Sequence, residues 1–183
     1  MKKISEKILY TGSWLQLKES TYDNNGFIVK WETVERKTSK VTVVIIARLV
    51  PSERYVLIKQ YRIPINNYLI GFPAGVSDGK DLIRDISREL KEETGYVGKI
   101  VSISPPLKSN PGLTDESVRV ANVEIDENSH ENMNPSQELE PSEEIEVILI
   151  KKEEINNYLK NQLEKGVDVG VGIWYAINWN CSS

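Results

Sequence analysis

The 183-residue sequence has one cysteine, one histidine and no surplus of basic residues, and each shortage removes a class of protein. Cys181 has no second thiol to pair with, so no intramolecular disulfide can form and a reducing cytosol is the expectation. His130 is the sole imidazole and sits in the polar run Glu127-Asn128-Ser129-His130-Glu131, so neither a Ser-His-Asp nor a Cys-His nucleophile can be assembled. Lys and Arg number 23 against 27 Asp and Glu, a formal charge of -4, which leaves no excess to neutralise a nucleic-acid backbone. No apolar run approaches the roughly 18 residues of a membrane span, and the start lacks the apolar stretch of a signal peptide. A soluble intracellular chain with no nucleic-acid and no membrane partner is expected. Repeats and low-complexity linkers are absent too, and the length suits one good core.

What is there reads as mixed α and β. Trp14 to Leu17 and Phe27 to Trp31 flank Asp23-Asn24-Asn25-Gly26, a hairpin signal because Asn and Gly tolerate the positive φ of tight turns. Val41 to Val50 is nearly continuous in apolar and β-branched residues, as in a strand buried on both faces, and Tyr55 to Ile58 reads as its partner. Leu82, Ile86 and Leu90 recur every four residues in a helix over Asp81 to Thr94, which Gly95 stops. Strands are expected at Lys99 to Ser104, Val118 to Ile125 and Ile145 to Ile150. The acidic stretch Asp126 to Glu144 is a long loop, of a length that tends to be functional. A second helix covers Lys152 to Leu163, and Gly166 to Trp179 can be read as strand or helix.

The chemistry concentrates on the first helix. At 100° per residue, Asp85, Glu89, Glu92 and Glu93 fall within about a third of its circumference, so like charges crowd one stripe. Such a stripe is either a solvated surface or a seat for cations. Before it, Gly71-Phe72-Pro73-Ala74-Gly75 reads as a tight apolar loop that can aim a carbonyl at a bound ion.

Together with Arg88-Glu89-Leu90-Lys91-Glu92-Glu93-Thr94-Gly95-Tyr96, that loop closely resembles the Nudix box. Tyr96 replaces the usual aliphatic residue at the end of the box. The first half departs further, because only Val76-Ser77-Asp78-Gly79 separate Gly75 from Lys80, which stands where the box expects a glutamate. Asp81 is a replacement partner for the box arginine, with a shorter reach.

The resemblance covers most of the chain and is greatest to the ADP-sugar (ADP-ribose) pyrophosphatases. It rests on Gly12-Ser13-Trp14, Lys30 to Arg36, Ile58 to Arg62, Phe72 to Gly75 and Asn110-Pro111-Gly112-Leu113. It implies an α+β fold, an α/β/α sandwich with a mixed sheet between helices and a small N-terminal antiparallel sheet. Residues 1–40 would form the dimerisation and base-binding subdomain and 41–183 the hydrolase domain. Glu89, Glu92 and Glu93, with the carbonyl of Ala74, would hold Mg²⁺, Mn²⁺ being the other candidate. Glu143, flanked by Glu140 and Glu144, would supply a catalytic base or further ligand. Substrate contacts would fall to Arg62, to Trp14 and Trp31 on the base, to Glu32 and Arg36 nearby, and to Pro111, Gly112 and Leu113. The implied reaction is metal-dependent hydrolysis of ADP-ribose to AMP and ribose 5-phosphate by a homodimer. GDP-mannose or another nucleotide sugar, or a catalytically weak sensor of such compounds, are the alternatives.

Overall fold

The computed structural model describes residues 1–38 and 41–178. Cys181 and Trp179 lie outside them. Three strands, β1 (Lys2–Thr11), β2 (Leu15–Asn24) and β3 (Phe27–Arg36), form an antiparallel sheet of their own. The expected hairpin joins β2 to β3, its turn residues Asn25 and Gly26 at φ 53° and 89°. The first strand was not anticipated, because Lys2 to Thr11 carries too many charges to read as half-buried, and all ten of its residues are indeed exposed.

The second sheet is mixed and has eight strands: β4 (Val41–Val50), β5 (Arg54–Arg62), β6 (Asn67–Gly71), β7 (Ala74–Ser77), β8 (Lys99–Ile103), β9 (Ser117–Asp126), β10 (Ile145–Lys151) and β11 (Asp168–Val169). The partner expected for β4 is there but meets it only at Ala47 and Arg48; its long neighbour is β9, parallel over ten residues. β5 instead pairs with β10 from Arg54 to Gln60. The segment read as a loop from Gly71 to Gly75 contains strand, because Ala74 to Ser77 pairs with Val44 to Val41. The ambiguous segment after Gly166 resolves into both of its readings, the short β11 followed by α3 (Val171–Asn178).

Side-chain alternation along β4 divides the interior. Val43, Ile45, Ala47 and Leu49 are fully buried on one face, against Ile86 and Leu90 of helix α1 (Leu82–Thr94) and Ala121, Val123 and Ile125 of β9. Val44 and Ile46 point the other way and are only partly buried, beside Ile155 and Leu159 of α2 (Lys152–Glu164) and Ile173 and Ile177 of α3. β4 is therefore covered on both sides, one side more tightly than the other. The sheet lies between α1 and the pair α2 and α3, as the α/β/α expectation requires. Each fully buried Ile or Leu contributes roughly 1.5–3 kcal/mol to holding α1 against the sheet.

Candidate active site

Helix α1 is fixed at both ends by its own sequence. The Asp81 carboxylate accepts from the Arg84 N–H at 3.0 Å, and Gly95 at φ 78° closes the far end through its N–H to the Lys91 carbonyl, 2.8 Å. Asp81 is thus committed as the helix cap, and no bond joins it to Arg88. The guanidinium of Arg88 instead donates to Glu89 at 2.5 Å and to Glu92 at 2.6 Å, both on its own helix. Lys80 is far out in solvent, 85% exposed beside Asp78.

With Ile86 and Leu90 packed inward, the acidic stripe turns along the edge of the core towards β7. Glu93 is the deepest, 2% exposed, so a uniformly solvated stripe is ruled out. Its carboxylate accepts from the Ala74 N–H at 2.8 Å. Burial raises its pKa to about 8; the Ala74 bond and Arg62 oppose that rise, while Glu89 and Glu143 add to it. Burial also raises the pKa of Glu89, Arg88 pulling it back and the charges of Glu92 and Glu143 pushing the same way as burial. Asp85, on the same stripe, accepts from the Ser77 hydroxyl and ties α1 to β7.

Glu89, Glu92 and Glu93 open on a cavity of about 570 Å³, within the size range of small-molecule sites, which Asp85 does not reach. Glu89, Glu92 and Glu93 form one wall, Ala74 and Gly75 the floor, Gln60 and Arg62 another side, and Glu140 and Glu143 of the long loop the rim. Arg36 of β3 also reaches it. Glu144 faces elsewhere and bonds the Tyr68 hydroxyl.

The residues fit a hard divalent cation. The donors are all oxygen, and the charges of Glu89 and Glu143 that bear on the buried Glu93 are ones a cation would offset. Among the described residues no three His, Cys, Asp or Glu already stand as a metal-binding group. Arg88 engages Glu89 and Glu92, and the Ala74 N–H engages Glu93.

The residues expected at the base divide into two groups. The 110–116 segment docks on β3: Trp31 Nε1 donates to the Gly112 carbonyl at 2.9 Å, the Val34 N–H to the Leu113 carbonyl at 2.9 Å, and Arg36 pairs with Glu116. Trp31 and Arg36 thus both touch this segment but stand roughly 17 Å apart along β3, and of the residues expected at the base only Arg36 lines the cavity. Glu116, which no local signal marks, is the residue that holds Arg36. Trp14, 75% exposed, stands apart in an apolar hollow with Tyr10, Leu17 and Val34. Ser20 of β2 is opposite Trp31, so roughly 20 Å of strand separates the two tryptophans. Glu32 is exposed and does not line the cavity.

The sandwich of sheet and helices thus frames a cavity walled by Glu89, Glu92 and the buried Glu93. No protein-family model matches the sequence. A Caenorhabditis elegans protein classed as a nudix hydrolase is 36% identical over 167 residues, covering 86% of this chain and 75% of that protein. The mouse ADP-sugar pyrophosphatase is 34% identical over 160 residues, 82% of this chain and 73% of its own length. The Saccharomyces cerevisiae ADP-ribose pyrophosphatase is 35% identical over 143 residues, 73% and 62% of the two chains. A crystal structure of an ADP compounds hydrolase superposes with a TM-score of 0.66 at 15% identity, over 86% of this chain and 84% of that one. The chain belongs to the Nudix hydrolase family.

Proposed function

We propose that this chain hydrolyses the pyrophosphate bond of a nucleoside diphosphate sugar, ADP-ribose before others, to AMP and ribose 5-phosphate with Mg²⁺ as the cofactor. The observation that carries the reading is the convergence of Glu89, Glu92 and Glu93 with Arg62 on one cavity. A pyrophosphate needs positive charge on both of its sides, and an anionic wall facing an arginine offers it only when cations fill the wall. Glu89, Glu92, Glu93 and the Ala74 carbonyl would hold them, and bound divalent ions offset the phosphate charge and acidify water.

The protein's own groups account for the remaining steps. Arg62, hydrogen-bonded to Gln60 at 3.1 Å, presents a planar fork to phosphate oxygens. Glu143 on the rim accepts the proton of the attacking water as the new P–O bond forms and the bridging P–O bond breaks. The bridging oxygen leaves with the second phosphate. Arg36, held by Glu116, reaches the cavity, and Trp31, docked on the 110–116 segment further along β3, offers an exposed face to the nucleoside base. Trp14 is too far along the sheet to share a base with Trp31 of the same chain, which supports a homodimer in which a second copy supplies that ring.

Product analysis tests the reading. With Mg²⁺ and a panel of nucleotide sugars, ADP-ribose should give AMP and ribose 5-phosphate at the highest kcat/KM. Faster hydrolysis of GDP-mannose would reassign the substrate. Binding of ADP-ribose without turnover of any compound would make the protein a sensor.

A further inference from the structure

The loop that carries Glu140 and Glu143 also finishes helix α1. A helix leaves its last carbonyls without intrahelical partners, and here two of those carbonyls belong to the site's glutamates. The Glu138 N–H donates to the Glu92 carbonyl at 2.8 Å, and Gln137 Nε2 donates to the Glu93 carbonyl at 2.6 Å. The same nitrogen reaches the carbonyl of Ile145, the first residue of β10, at 3.2 Å. Gln137 therefore joins the helix that bears the acidic wall to the strand that receives the loop, and shuts residues 138–144 into a closed excursion. Inside it, Glu140 and Glu143 brace one another, the Glu140 N–H donating to the Glu143 carboxylate at 2.9 Å and the Glu143 N–H to the Glu140 carbonyl at 2.9 Å.

We propose that Gln137 is a positioning residue, whose amide nitrogen sets the place of the Glu140–Glu143 turn relative to Glu89 and Glu93. The catalytic part of this rests on the function proposed above. Gln137 lies some way from the box, and nothing in its sequence surroundings marks it. Its two acceptors are the ends of a helix and a strand, so it holds two elements of the site in one place with a single side chain. Gly95 adds to the approach: a Cβ there would come within 2.4 Å of the Ser136 nitrogen, so the loop can only lie this close because residue 95 has none.

Gln137→Met keeps the length and removes both donors; Gln137→Asn, one methylene short, serves if the first variant does not fold. Amide hydrogen exchange should quicken at least about tenfold in residues 138–144 and stay unchanged over 82–90. Turnover of ADP-ribose should fall about 10- to 100-fold with KM within about threefold, the signature of a displaced reacting group. In a Glu143→Gln background the same change should cost nothing more, because the residue it positions is already gone. Unaltered exchange in the loop, or losses that simply multiply in the double variant, would overturn the proposal. If the wild type turns over no nucleotide sugar, the functional reading falls, while exchange still decides whether Gln137 holds the turn.

Discussion

Gly75 lies directly under the Glu89 carboxylate: a Cβ built there would lie 1.8 Å from Glu89 Cδ, so any side chain on residue 75 must displace that carboxylate. The glycine is therefore the floor against which the acidic wall closes. Gly75→Ala should push Glu89 out of the cavity, lower kcat/KM by at least about 100-fold and weaken Mg²⁺ binding in a calorimetric titration. Because the residue lies at the edge of the core, the unfolding temperature should change by only a few degrees.

Glu93→Gln should abolish most turnover, by about 100-fold or more, and spare the fold. A glutamine keeps a carbonyl oxygen that can still accept from the Ala74 N–H, so the contact between α1 and β7 survives while the charge is lost. Near-normal rates would remove Glu93 from the site.

The pKa of Glu93 gives this variant an opposite effect on stability. Its folded value, about 8, lies above the ordinary 4.5, so the folded protein binds the proton more tightly than the unfolded chain. The associated stability is complete below about pH 4.5 and is lost as pH rises through 8, with an upper bound on the order of 3–5 kcal/mol. Metal-free wild type should therefore unfold more easily at pH 8.5 than at pH 6, and Glu93→Gln should flatten that difference. Mg²⁺ should raise the melting temperature most at the alkaline end. Thermal unfolding in EDTA and in Mg²⁺ across pH 5–9 reads all three effects.

Trp31 has a flat face for stacking and an N–H that holds the 110–116 segment, and two variants separate the roles. Trp31→Phe keeps the face and loses the bond to the Gly112 carbonyl, so KM for ADP-ribose should rise only a few fold. Trp31→Ala loses both and should raise KM by about tenfold or more while kcat falls less, given stacking worth about 1–3 kcal/mol per base. An unchanged KM in the alanine variant, with lowered stability, would return Trp31 to a purely structural role.

Lys80→Glu restores the residue that the box pattern expects, yet it should change kcat by less than about threefold. Arg88 already has two carboxylate partners on its own helix, and residue 80 lies in solvent. A large gain would mean that the short loop limits the enzyme.

The helix, its Gly95 stop and the glutamates were legible because periodicity and a glycine after the last turn are local signals, whereas Asp81 reads as a partner for Arg88 and turns out to be the N-cap. Most strands were legible for the same reason, but β1 was hidden by its charges, β7 by the Pro-Gly character around it, and the short β6 was not read either. Arg88 was harder, since the pattern directed attention to Lys80 and Asp81 while the partners stood one and four residues ahead on the same helix. The depth of Glu93 was not legible at all. Glu89, Glu92 and Glu93 look alike in sequence, and only the tertiary fold, which seats Glu93 against the Ala74 N–H, decides which of them leaves water. Gln137 and Glu116 act across long stretches of chain, where spacing carries no information.

The distance between Trp14 and Trp31 also bears on how the protein should be assayed. If two copies must meet before a base is gripped on both faces, apparent affinity for substrate depends on protein concentration. Diluting the enzyme would then raise KM without changing any residue, and a heterodimer of a Trp14→Ala subunit with a Trp31→Ala subunit would regain one of its two sites, about a quarter of all sites after random exchange of equal amounts.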